Sequence, residues 1–99
     1  MSFAVSLTGK VLKDRLISEA REDIIKALEK YYGRDSALRR DAVLLHEVYE
    51  AVYATGYFEK ETGAWFEISL RGKFKADRVY QMVSVDIDNS VFDIDYVED

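Results

Sequence analysis

Residues 83–99, Val-Ser-Val-Asp-Ile-Asp-Asn-Ser-Val-Phe-Asp-Ile-Asp-Tyr-Val-Glu-Asp, alternate apolar and acidic side chains on both sides of Asn89-Ser90. That is the period of a half-buried strand. A two-residue loop at Asn89-Ser90 predicts a hairpin with Ile87 opposite Phe92, Val85 opposite Ile94 and Val83 opposite Tyr96. All of these apolar residues then share one face. The same register sets Asp86 opposite Asp93 and Ser84 opposite Asp95 on the other face, with Asp88 beside the turn. A slip by a single residue would turn each strand's apolar set to the wrong side, so the pattern selects its own register.

Acid facing acid carries a cost, up to about 1 kcal/mol for like charges directly across a strand pair. No Lys or Arg follows Arg78, whereas six acids do. A solvated outer face that discourages strand addition at a sheet edge is one reading. A face that meets something positive is the other, and it makes Asp86, Asp88, Asp93, Asp95 and Glu98 the candidate partner-binding residues. Residues 71–78 have the opposite sign, with Arg71, Lys73, Lys75 and Arg78 against Asp77, and form a candidate secondary basic patch.

Composition bounds what such a hairpin can belong to. The 99 residues are 48% hydrophobic and include seven Tyr, five Phe and Trp65, enough to build one core, so one domain spanning residues 1–99 is expected. With no cysteine there is no disulfide framework, no thiolate zinc site and no cysteine nucleophile. The apolar runs are too short to span a bilayer, and the N-terminus lacks the basic leader and apolar block of a signal peptide, so the expected location is the cytoplasm. A net charge of −5 and a pI near 4.9 argue against direct nucleic-acid binding.

Upstream, Phe3, Val5 and Leu7 alternate with Ala4 and Ser6, the pattern of a short strand ending at Thr8-Gly9. Over residues 10–32 the period lengthens. Leu12, Leu16, Ala20, Ile24, Ala27, Leu28 and Tyr31 form a helical stripe, Gly33 is placed as a left-handed stop, and Ser18 is an alternative start. A second helix is expected from an Asp35 cap to Gly56, burying Leu38, Ala42, Leu45, Val48 or Tyr49, and Val52, with Leu44 and Ala51 widening the stripe. The connection 33–35 is short enough to make the two helices an antiparallel hairpin. Arg34, Arg39 and Arg40 cluster at the start of the second helix, either as surface cations paired with acids such as Asp35 and Asp41 or as an anion or acidic-partner contact. Residues 64–70 alternate again, with Ala64, Phe66, Ile68 and Leu70 inward and Trp65, Glu67 and Ser69 outward. A bulged turn at Arg71-Gly72 leads into a strand over residues 79–88.

The sum is an α+β fold: a two-helix antiparallel hairpin packed on one face of a three- to five-stranded antiparallel sheet formed mainly by the C-terminal half. Little in the chain supports catalysis. His46 is its one histidine, and a helical His with Glu50 four residues on is half of a site. No phosphate loop or nucleophile–base pair is present, so a non-enzyme without cofactor is expected. Asp86, Asp88, Asp93 and Asp95 have the oxygen chemistry of a cation site. A calcium loop begun at Asp86, however, puts Val91 where Gly is required and Val97 where a bidentate Glu is required, so no metal is expected. Two functions fit: a small acidic inhibitor or immunity-type protein that blocks a basic, nucleic-acid-handling partner, or a homo-oligomeric assembly subunit.

Overall fold

The computed structural model describes residues 2–33, 43–72 and 84–98, and its central element is the first strand. β1 (Ser2–Val11) buries Phe3, Val5, Leu7, Gly9 and Val11 on one side. It runs past the expected end at Gly9 because that residue has no side chain. A Cβ there would lie 2.7 Å from the Trp65 carbonyl and 2.9 Å from Phe66 Cβ. Glycine in this strand marks close packing rather than a break.

After a turn closed by Arg15 N–H donating to Leu12 O (3.0 Å), α1 (Ile17–Tyr32) buries Ala20, Ile24, Leu28 and Tyr32. The spacing of four is a single inward stripe. The later of the two expected starts is therefore close to the observed one, and Leu16, counted in the stripe, is exposed at the N-cap. Gly33 ends the helix in extended backbone (φ −67°, ψ 147°) rather than the left-handed form. Its contribution is space, since a Cβ would collide with the Glu29 carbonyl that accepts the Gly33 N–H.

α2 (Leu45–Tyr53) is shorter than its sequence pattern. Val43 and Leu44 are not helical, so no continuous helix runs from Asp35 to Gly56, and the expected connection at 34–35 lies outside the described residues. Asp35, Leu38, Ala42 and the Arg34, Arg39 and Arg40 cluster lie outside the described residues. Val48, Ala51 and Val52 face the core as expected, whereas Leu44 and Leu45 at the helix start are exposed. Gly56 (φ +85°) reverses the chain just beyond the helix. Tyr57 and Phe58 then turn back into the core.

β2 (Trp65–Gly72) pairs antiparallel with β1, from Phe3↔Gly72 to Lys10↔Trp65. β3 (Ser84–Val85) and β4 (Val91–Tyr96) both pair with the other side of β1, and both run parallel to it. Among the described residues the sheet is thus four-stranded and mixed, with β1 between β2 and the β3/β4 line. It is not purely antiparallel, and its centre comes from the N-terminal end of the chain. The expected C-terminal hairpin does not form, because residues 84–85 and 91–96 share one edge of β1 and do not face each other. An excursion separates them. β1 advances three residues from Phe3 to Ser6 while the chain beside it advances six, from Val85 to Val91. The physical reason is the backbone of β1, alternate residues of which are buried from Phe3 to Val11 and whose polar groups on that side need partners. A self-contained hairpin would leave them without any.

Both helices pack on one face of the sheet, α1 over β3 and β4 and α2 over β2, and they touch each other. Phe66 is ringed by Tyr49, Tyr53 and Phe58 at centroid distances of 5.1, 5.5 and 4.7 Å. Phe3 meets Tyr32 edge-on at 5.3 Å. At the rim, the Tyr57 hydroxyl donates to Asp23 Oδ2 (2.7 Å) while Arg15 stacks over the Tyr57 ring (4.4 Å), tying three segments together. No helix among the described residues is long and apolar enough to cross a membrane.

Candidate functional site

With the helices on one face, the alternation of β1, β2 and β4 leaves the other face open. The register arranges it in rows across the strands. Trp65, Lys10 and Asp95 form one row, Glu67, Thr8 and Asp93 the next, and Ser69, Ser6 and Val91 a third. Neighbouring strands lie about 4.8 Å apart, so Glu67 and Asp93 flank Thr8 across about 10 Å. Trp65 is 42% exposed and Val91 51%. Trp65, Glu67, Thr8, Asp93 and Asp95 all face solvent.

The candidate carboxylates divide between this face and the excursion. Asp93 and Asp95 are on it, and Glu98 reaches its edge, 3.9 Å from Lys10 Nζ. Asp95 Oδ1 also accepts the Tyr96 N–H at 2.8 Å. Asp86 is not among them. Its carboxylate accepts Asn89 Nδ2 (2.6 Å) and Asn89 N–H (3.3 Å), holding the turn in which Asp88 is the exposed tip. Asp86 and Asp93 are therefore no cross-strand pair, and neither Ser84 nor Asp95 faces the other, since each is paired with β1. Among the described residues no group of three or more His, Asp or Glu side chains is placed to hold a metal ion.

Of the basic patch, Arg71 is exposed on β2 and donates to the Asn89 carbonyl (3.1 Å), while Lys73, Lys75 and Arg78 lie outside the described residues. His46 is exposed on the first turn of α2. A cleft of about 170 Å³ between the end of α1 and α2 is lined by Tyr31, Tyr32, Glu47, Glu50, Ala51 and Ala54, without His46.

Trp65, Glu67, Thr8 and Lys10 were not singled out by the C-terminal pattern, yet they are four of the nine residues in these rows. Their outward direction is visible in the alternation of residues 64–70. Their proximity to Asp93 and Asp95 is not, because it depends on β1 lying between β2 and β4.

Fold and face together define a small α+β domain with one helix-covered and one open sheet surface, the open one predominantly acidic. No family model, no curated protein and no solved structure matches this chain.

Proposed function

We propose that this chain is a small acidic protein-binding domain of inhibitor or immunity type, which covers a basic, nucleic-acid-handling surface of another protein with its open sheet face. The observation that carries the reading is the pair Glu67 and Asp93. They stand in one row of the sheet, exposed, with no ion pair to any described residue. Carboxylates on the two strands that flank β1 present charge without the entropy cost of ordering loops. They would speed association with a basic surface and make it sensitive to salt. Asp95 and Glu98 extend the field, and Lys10 tempers it at one end.

The test compares wild type with Glu67→Gln/Asp93→Asn/Asp95→Asn as bait for host proteins at low and high salt, and asks whether DNA competes for the captured partner. Selective, salt-sensitive and DNA-competed capture by wild type alone is the expected result. Equal capture by the triple variant defeats the proposal. An assembly subunit is the second reading, favoured by exposed Trp65 and Val91 on the same face as Lys10 and its acids. Light scattering at micromolar concentration separates the two, since a stable dimer lost on Trp65→Asp substitution supports assembly.

A further inference from the structure

We infer that the open face reads arginine in preference to lysine, with Trp65 as the stacking surface and Glu67 and Asp93 as the carboxylates that hold the guanidinium group. The inference rests on the proposal that this face is a protein-contact surface, and it adds the chemistry of the residue to be recognised.

Exposed indole and carboxylate stand side by side. Trp65 and Glu67 are two residues apart on β2, both outward, so their Cα atoms are about 7 Å apart along the strand. The indole makes no ring contact or hydrogen bond with any described residue. The face's own cation does not occupy it either. Lys10, next to Trp65 in the row, has its ammonium 3.9 Å from Glu98 at the β4 side, and it makes no cation–π contact with the indole. Beyond Glu67 the row is open, because Thr8 is short and Asp93 stands on its far side.

A guanidinium group fits this arrangement better than an ammonium. It is planar and weakly hydrated, and it lies flat on an aromatic ring while its edge N–H groups point sideways in a fork. Over Trp65 those donors reach toward the Glu67 carboxylate, where paired N–H···O bonds are the strong form of the contact. An ammonium is a strongly hydrated point charge that draws on the carboxylates and gains little from the indole. Stacking of a guanidinium group on an aromatic ring already occurs within the fold, where Arg15 lies over Tyr57 at 4.4 Å.

Trp65 is the chain's one tryptophan and reports directly on its own environment. The probes are two peptides of equal length and charge, one alternating Arg with Gly and the other Lys with Gly. They are titrated into the full chain by fluorescence and by calorimetry at low and physiological salt. The Arg peptide is expected to shift Trp65 emission and to bind about tenfold tighter than the Lys peptide. Trp65→Leu, read by calorimetry, should erase that preference while leaving the weaker, salt-sensitive binding shared by both peptides. Glu67→Gln/Asp93→Asn should weaken both. Equal affinity of wild type for the two peptides overturns arginine reading but leaves the acidic contact face standing. An Arg preference that survives Trp65→Leu overturns the assigned site. Absence of binding by either peptide overturns this inference and the contact-face proposal together. Each variant is first checked for native circular dichroism, which substitution at an exposed position should preserve.

Discussion

The side-chain oxygen of Ser90 accepts the backbone N–H of Val5 at 2.9 Å, joining residues 85 apart in sequence. It occupies the place of a strand carbonyl where residues 86–90 leave the ladder. The same hydroxyl donates to the Asp86 carbonyl at 2.6 Å, and Asp86 N–H returns to the Phe3 carbonyl at 2.8 Å. The excursion is thereby sewn to β1 at both ends.

Ser90→Ala should destabilise the fold by about 1–3 kcal/mol, because it leaves the Val5 N–H without its acceptor inside a buried strand. Val5 is fully buried, so water has poor access to that group. Urea unfolding followed by circular dichroism measures the loss. A change below a few tenths of a kcal/mol would show that the hydroxyl is dispensable.

Tyr49 performs the matching task on the outer edge of β2. Its hydroxyl accepts the Ile68 N–H at 2.8 Å and lies 3.4 Å from the Ile68 carbonyl as donor. Tyr49→Phe should keep the ring packing against Phe66 and cost about 1–2 kcal/mol through the lost bonds alone. Hydrogen exchange should locate the effect, with the Ile68 amide losing protection ahead of its strand neighbours.

Gly9→Ala should cost about 2 kcal/mol, or roughly 10 °C in Tm, by overpacking. The nearest obstacle to the new methyl is the backbone carbonyl of Trp65, at 2.7 Å, and a backbone atom in a paired strand has little room to yield. A thermal melt of the variant with unchanged Tm would mean that β1 and β2 shift apart freely.

Tyr57 makes stability fall at alkaline pH. The hydrogen bond to Asp23, then burial, then the Asp23 charge raise its pKa above the usual 10.0, against a smaller opposing effect from Arg15. The native state therefore holds the phenolic proton more tightly than the unfolded chain. Below about pH 10 both states keep that proton and the contribution is complete; it is lost as pH rises through the folded-state pKa. Tyr57→Phe should flatten this limb. Unfolding free energies of the two proteins between about pH 9 and 11 should converge as pH rises, and parallel curves would remove Tyr57 from the account.

Periodicity in the sequence is enough to tell which side chains go inward. Ala20, Ile24 and Leu28 in α1, Val48 and Val52 in α2, and Phe66, Ile68 and Ile94 in the strands are buried as their spacing implies. The same spacing sets Glu67, Asp93 and Asp95 outward, and all three are exposed. Those facts are local, because a period of two or of 3.6 needs only the chain's own geometry. The sequence alone also sets the surplus of acids after Arg78.

Pairing was decided by the tertiary structure. An alternating strand buries the same side chains whether its neighbour runs parallel or antiparallel, so nothing between Val85 and Tyr96 distinguishes a hairpin from two segments along β1. The choice lies with the buried backbone of β1, whose donors and acceptors take partners from residues some eighty positions away. That one choice removed Asp86 to a turn and brought Glu67 and Trp65 into the rows of Asp93 and Asp95. The face is a property of strand order, which no window of sequence contains.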